Sequence, residues 1–168
     1  MERKPEKVLI LVIGAMGSGK TTFAHFFRNA FLQGYPDKDL QDGILEDRSF
    51  AYETSLLLPK EIELVKRAKK KGFKINAYFI FSSKNLNVVR CRFRSIISGE
   101  KFDEAMIKKS YETTYKNISA IFPDLDLLFL VRNLKAFEFV AAYEPGLSDV
   151  SSFLSDLRAL KSEADRLS

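Results

Sequence analysis

Short apolar runs alternate along the chain with longer stretches in which apolar residues recur at helical spacing. This alternation is typical of an α/β domain whose parallel sheet is covered by helices. The apolar runs predict strands at 8–13, 49–53, 74–81, 125–131 and 136–142. The amphipathic stretches predict helices at 20–32, 59–71, 85–97, 103–122 and 149–165. We therefore expect one domain over residues 1–168, a three-layer sandwich around a mostly parallel five-stranded sheet.

Composition and charge narrow the class of protein. The 168 residues are 46% hydrophobic and 29% charged, which excludes disordered and low-complexity architectures. The single Cys91 cannot form an internal disulfide, and no apolar run approaches the roughly 20 residues of a membrane span. We therefore expect a cytoplasmic protein without a membrane partner. The net charge of +5 suits an anionic substrate but does not by itself indicate nucleic acid.

A glycine-rich loop follows the first predicted strand directly. It matches the G-x-x-x-x-G-K-[ST] pattern of phosphate-binding loops, and a predicted helix follows it, as the mechanism requires. The residues expected to bind ATP are Gly14, Ala15, Met16, Gly17, Ser18, Gly19, Lys20, Thr21 and Thr22. Lys20 is expected to reach the β- and γ-phosphates, and the Thr21 hydroxyl to ligate Mg²⁺. The predicted fold is therefore that of a P-loop NTPase or nucleotide kinase.

A carboxylate stands at the edge of the predicted sheet where parallel sheets bind their ligands. Glu53 ends the strand at 49–53, so we expect it to reach the metal or the substrate. The sequence lacks the Asp-ended second motif of motor ATPases and the Asn-Lys-x-Asp motif that reads guanine. These absences favour a kinase among the P-loop proteins.

The block around Glu53 resembles a known family, the zeta-toxin-like P-loop kinases. It reads Ser49-Phe-Ala-Tyr-Glu53-Thr54-Ser55-Leu56, followed by Ala68-Lys-Lys-Lys-Gly-Phe73, and is similar to that family's S-F-x-F-E-T-T-L…A-K-x-x-G-Y pattern. Segment 87–94 resembles the family's arginine-bearing helix, and segment 107–111 with Asn117 resembles its I-x-R-R-Y…N-L helix. The resemblance spans about residues 8 to 133.

The resemblance implies an activity and roles for residues of this chain. It implies transfer of the γ-phosphoryl group of ATP, with Mg²⁺, to a small hydroxyl substrate such as a nucleoside or UDP-N-acetylglucosamine, and an antitoxin protein as a candidate partner. Lys20, Arg90 and Arg94 would bring charge to the transferring phosphoryl group. Glu53 and Thr54 would hold the substrate or the metal, and Lys108 and Lys109 stand where the family has arginines. Arginines four residues apart share one helical face, so residues 90 and 94 fit such a role physically.

The stretch between Lys20 and Glu53 departs from the family pattern. It is too short for the second strand and the catalytic Asp that the family places there. A general base must reach the attacking hydroxyl, so Asp37, Asp39 or Asp42 could serve only if this segment folds over the site. The alternative is plain turn chemistry for these aspartates.

Two other functions stay open on the sequence alone. The short segment fits a nucleotide-binding protein without transfer activity. The lysine-rich stretch at 66–74, together with the positive net charge, fits a polynucleotide 5′-hydroxyl kinase, although nucleic acid is the less favoured partner. Arg90 and Arg94 could also form a solvated helix surface.

Overall fold

The computed structural model describes residues 6–31 and 35–167. The strands are Val8–Ile13 (β1), Phe50–Thr54 (β2), Lys74–Phe81 (β3), Leu127–Asn133 (β4) and Phe137–Tyr143 (β5). The helices are Lys20–Phe31 (α1), Leu40–Glu46 (α2), Pro59–Lys70 (α3), Lys84–Ser98 (α4), Glu104–Ile121 (α5) and Val150–Leu167 (α6), with a 3₁₀ turn at Phe122–Asp124. The predicted end of α1 at residue 32 lies outside the described residues. Within the described ranges, no helix has both the length and the apolar character needed to cross a bilayer.

The sheet has the strand order β2-β1-β3-β4-β5. The first four strands in this order are parallel, and β5 pairs antiparallel with β4 at the edge. This arrangement confirms the predicted α/β fold with a mostly parallel five-stranded sheet. Because the strands are parallel, the ends of β1, β2, β3 and β4 meet at one edge, where the phosphate loop also lies.

Helix α2 is an element that the sequence analysis did not predict. Its start is capped by Asp39, whose Oδ1 accepts a hydrogen bond from the Gln41 amide at 2.9 Å. Leu40 and Ile44, one turn apart, are buried against the core. Two apolar residues at helical spacing and a strong N-cap are enough for a two-turn helix that packs against the core.

The residues before α2 form a short extended segment, the stub, at the edge of the sheet. Asp37 makes an isolated parallel bridge with Ala51 of β2. The Ala51 amide donates to the Pro36 carbonyl at 3.0 Å, and the Lys38 amide donates to the Ala51 carbonyl at 3.1 Å. The chain thus runs beside β2, where a further edge strand would lie, but pairs over one residue only.

The two faces of the sheet have separate apolar cores, and α1 packs on the smaller one. Phe23 of α1 is buried with Val12, Ile80 and Val131 of three neighbouring strands. Its ring stacks on Phe27 with centroids 5.2 Å apart and also meets rings from β3 and β5. This packing fixes α1 on the sheet, and with it Lys20 and Thr21 in its first turn.

Candidate active site

The phosphate loop is folded tightly against the end of β1. Gly17 and Gly19 have φ angles of 80° and 92°, in the left-handed region that favours glycine. A Cβ atom at Gly17 would lie 2.5 Å from the Asn87 carbonyl oxygen, so the close approach of α4 also requires glycine there. The Ser18 amide donates to the Ala15 carbonyl at 3.1 Å, which closes the turn. Among the described residues, no acceptor engages the Gly19 amide.

A cavity of about 180 Å³ opens above this loop. Its lining residues are Gly17, Gly19, Lys20, Thr21, Thr22, Arg90, Cys91 and Arg94. Burial lowers the pKa of Lys20, the nearby Arg94 lowers it further, and the Glu53 carboxylate opposes both effects. The neighbouring groups therefore do not fully offset the loss of hydration of the Lys20 ammonium group. The negative charge of a bound polyphosphate would offset it.

Thr21 and Glu53 meet beside this cavity. The Thr21 hydroxyl donates a short hydrogen bond to the Glu53 carboxylate, as expected for two residues predicted to share a metal. The part of the chain that the structure describes contains no group of three or more His, Cys, Asp or Glu side chains that could hold a metal. Magnesium commonly takes only one or two protein oxygens and completes its shell with water and phosphate oxygens. The Thr21–Glu53 pair fits that mode of binding.

Arg90 lines the cavity but is bound to the protein itself. Its Nη2 donates to the Leu134 carbonyl at 3.0 Å and to the Asn133 carbonyl at 3.2 Å. Its Nη1 lies 3.5 Å from the carbonyl oxygens of Gly17 and Ser18. Arg90 is therefore not the solvated surface residue of the alternative interpretation, and its contacts differ from those expected of a residue that contacts the phosphoryl group.

Arg94, unlike Arg90, is exposed to solvent. It lines the same cavity, is largely exposed, and its Nε lies 3.3 Å from a Glu100 carboxylate oxygen. An exposed ion pair of this kind contributes little to stability. Its guanidinium can therefore exchange Glu100 for a phosphate at small cost.

Three residues expected on the substrate side lie elsewhere. Thr54 is buried; its hydroxyl donates to Glu61 at 2.5 Å and accepts from the Leu56 amide at 2.7 Å. Lys108 and Lys109 are exposed on α5, and Lys108 pairs with Glu104 at 2.6 Å. None of the three lines the phosphate-loop cavity. Their assignment to substrate stays a prediction that this geometry does not support.

The three aspartates predicted as candidate general bases make different contacts. Asp37 pairs with Arg28 of α1 at 2.6 Å, Asp39 caps α2, and Asp42 is exposed in the first turn of α2. A groove of about 300 Å³ beside β2 is lined by Arg28, Asp37, Lys38, Asp39, Ala51, Tyr52 and Glu53. The isolated bridge between Asp37 and Ala51 holds this segment beside β2. Asp37 and Asp39 thus share a groove with Glu53, whereas Asp42 does not line it.

Sequence reasoning missed an apolar cavity next to the phosphate loop. It has a volume of about 920 Å³ and lies between α4 and the β4–β5 turn. Its apolar lining includes Leu86, Val89, Leu134 and Phe137. Arg90 links the two regions, since it donates to the carbonyl of the lining residue Leu134 and lies 3.5 Å from the Gly17 carbonyl oxygen of the loop. The apolar lining residues come from separate segments of the chain, so no local pattern could have indicated the cavity.

Comparisons with known proteins show which solved structures share this fold. A scan against protein-family models and a search of curated proteins give no match. Among solved structures, a chain of the AvrRxo1-ORF1:AvrRxo1-ORF2 complex superposes with a TM-score of 0.62 at 13% identity, over 97% of this chain and 65% of that one. A structure of the PezAT chromosomal toxin–antitoxin system of Streptococcus pneumoniae gives a TM-score of 0.61 at 12% identity, over 99% of this chain and 86% of that one. The present chain thus spans about 65% of the AvrRxo1 chain that it matches.

A third match agrees with the same fold. A chain of the Pnkp1/Rnl/Hen1 RNA repair complex also matches, with a TM-score of 0.54 at 17% identity over 69% of this chain and 47% of that one. The AvrRxo1 complex has also been solved with ATP. The chain shares its fold with these structures, which confirms the zeta-toxin-like P-loop fold that the sequence resemblance implied.

Proposed function

We propose that the protein is an ATP- and Mg²⁺-dependent kinase that transfers a phosphoryl group to a hydroxyl group of a small molecule. One observation carries the proposal: a partly desolvated Lys20 and the unengaged Gly19 amide converge beside the Thr21–Glu53 pair. Amides and an ammonium group at the start of a helix form an anion site suited to a polyphosphate. The adjacent hydroxyl and carboxylate are suited to the accompanying magnesium.

The chain's own residues supply charge and position, which are the main contributions to phosphoryl transfer. Lys20 neutralises the β- and γ-phosphates, and Arg94 adds a second positive charge from α4. Magnesium held by Thr21 and Glu53 would supply further charge neutralisation. The apolar cavity at Leu134 and Phe137 suits the base of the nucleotide because it can cover an apolar ring face.

The groove beside β2 suits the acceptor, and Asp39 is the better candidate for its base. Asp37 is held in an ion pair by Arg28, whereas Asp39 lines the same groove as Glu53 and has one oxygen bonded to the Gln41 amide. Nucleosides and nucleotide sugars such as UDP-N-acetylglucosamine are the first acceptors to assay.

The base assignment predicts a difference between two variants. Asp39→Asn is expected to lower the rate of transfer by about 100-fold or more, because a general base contributes roughly that much. Asp37→Asn serves as the matched control and is expected to lose far less. Phosphorus NMR of ATP with each acceptor measures the new phosphomonoester signal. Equal losses in the two variants would contradict the assignment.

The role of Glu53 predicts an altered magnesium requirement. Glu53→Gln keeps an oxygen that can accept from Thr21 but removes the negative charge, so binding of Mg·ATP is expected to need about tenfold more magnesium. Titrations of ATP at increasing magnesium concentrations measure this shift. Glu46→Gln, which removes a surface carboxylate paired with Lys38, provides the control. A Glu53→Gln protein with an unchanged magnesium requirement would remove Glu53 from the metal site.

Nucleotide binding without transfer is the second candidate function. The observation that favours it is the stub beside β2, which pairs over one residue and leaves both aspartates in structural contacts. This function predicts ATP binding without a phosphorylated product from any acceptor. The same phosphorus NMR assay therefore separates the two functions.

A polynucleotide acceptor receives less support from the geometry. Lys66, Arg67 and Lys70 are exposed near the end of α3, just before β3 begins. The start of β3 lies at the sheet edge opposite the phosphate loop. A nucleic acid held by these side chains would therefore lie far from the site of transfer.

A protein partner would find an apolar surface on α4. Val89, Phe93, Ile96 and Ile97 are each at least 60% exposed and follow one helical face. Arg92, Arg94 and Lys101 lie around this stripe, so a second copy of the chain would bring like charges together. An antitoxin-type partner with an acidic rim would instead complement the stripe and its charges.

A further inference from the structure

Two side chains hold the back of the phosphate loop. The Asn133 Nδ2 donates to the Ser18 carbonyl at 2.8 Å. Arg90 reaches the same carbonyl and that of Gly17 at 3.5 Å, and it also binds Asn133 through both its carbonyl and its side-chain oxygen. Arg90, Asn133 and the loop therefore form one connected hydrogen-bonded unit, which we name the brace.

The brace controls the direction of one amide. In a planar trans peptide the carbonyl and the amide point in opposite directions. Because the Ser18 carbonyl is held by Asn133 and Arg90, the Gly19 amide of the same peptide points away from them. No acceptor among the described residues engages that amide. Gly19 itself is conformationally free, so the orientation needs an external constraint.

Both terminal nitrogens of the Arg90 guanidinium are already engaged. Every acceptor recorded for its guanidinium is a carbonyl or amide oxygen, on the loop or at the end of β4. The group is half-buried, and burial lowers the pKa of Arg90. To contact a transferring phosphoryl group, Arg90 would have to give up these bonds, whereas Arg94 would give up only an exposed ion pair.

We propose that Arg90 and Asn133 are positioning residues that orient the Gly19 amide toward the bound nucleotide. The inference rests on the nucleotide-binding part of the proposed function. It replaces the expectation that Arg90 acts directly on the transferring phosphoryl group. The oriented Gly19 amide would donate to phosphates that ATP and ADP share. The brace therefore contributes to the binding of both nucleotides alike.

The test compares Mg·ADP and Mg·ATP binding by calorimetry. Asn133→Ala is expected to weaken both by about the same factor, roughly tenfold, the loss of one hydrogen bond to a constrained group. Arg90→Lys is expected to weaken both similarly, because one ammonium group cannot span the loop and the end of β4 as the planar guanidinium does. Arg92→Gln is the matched control, since Arg92 is exposed on the same helix and pairs with Glu104. Thermal unfolding of each variant checks that the fold is kept.

The opposite pattern would overturn the proposal. If Arg90→Lys keeps wild-type nucleotide affinity and most of the kcat, Arg90 acts as a positive charge and not as a planar brace. If Asn133→Ala leaves Mg·ADP affinity unchanged, the hydrogen bond from Asn133 to Ser18 does not orient the Gly19 amide for nucleotide binding. A wild-type protein that binds neither nucleotide would overturn the proposed function and the brace together, whereas normal binding by both variants would overturn the brace alone.

Discussion

Lys20→Ala is expected to abolish measurable transfer, with a rate loss of at least about 100- to 1,000-fold, the cost of removing one preorganised charge from a transition state. The same change is expected to weaken Mg·ATP binding, because the β- and γ-phosphates lose their fixed counter-charge. Calorimetric titration measures the binding, and phosphorus NMR measures the transfer.

The control for Lys20 is a lysine of the same chain that is fully outside the site. Lys66 is exposed on α3, and Lys66→Ala is expected to keep both binding and transfer. Lys20→Met, which keeps the volume of the side chain, separates the loss of charge from the loss of packing. Normal turnover by either Lys20 variant would refute the role of the phosphate loop.

Phe23→Ala is expected to lower the free energy of unfolding by about 3–5 kcal/mol, the usual cost of removing a fully buried aromatic ring. Phe23 is 2% exposed and joins α1 to the sheet through several aromatic contacts. Chemical denaturation followed by circular dichroism measures the change. Because Phe23 lies in the helix that begins at Lys20, we also expect weaker nucleotide binding.

Phe26 offers a matched control on the same helix. It is 60% exposed, so Phe26→Ala is expected to change the free energy of unfolding by no more than about 0.5 kcal/mol. Similar losses in the two variants would mean that the aromatic cluster on this face of the sheet does not anchor α1.

The sequence was sufficient for the features that depend on local patterns. The continuous apolar run of β1 was predicted with the bounds that the structure has, because buried parallel strands exclude polar residues from both faces. The bounds of β3 were also predicted, although its first half alternates between buried and half-buried residues. The spacing of Gly14, Gly19 and Lys20 predicted the phosphate loop, since that chemistry lies within eight consecutive residues. Glu53 was predicted from its position at a strand end and does meet Thr21.

Features made by distant residues could not be predicted in this way. Asn133 reaches Ser18 across 115 residues of sequence, and Ser110 accepts from the Met16 amide across 94. Thr54 belongs to a block that resembles a substrate site, yet its hydroxyl is used by Glu61 inside the protein. The local pattern shows that a polar residue is present, whereas only the tertiary fold determines its partner.

The short segment before β2 has a definite structural consequence. One bridged residue at Asp37 replaces an additional edge strand, and α2 follows at once. The groove beside β2 is therefore bordered by a capping aspartate and an ion-paired one. Whether the protein transfers phosphate or only binds nucleotide depends on this small region, while the phosphate loop is shared by both functions.

The most direct test of the central claim is a calorimetric titration of the purified chain with Mg·ATP, with Mg·AMP as the comparison ligand. If the Gly19 amide and Lys20 hold a polyphosphate at the start of α1, we expect saturable binding of Mg·ATP at one site and much weaker binding of Mg·AMP, which lacks the β- and γ-phosphates. An absence of Mg·ATP binding by the folded protein, or equal affinity for the two ligands, would contradict the claim.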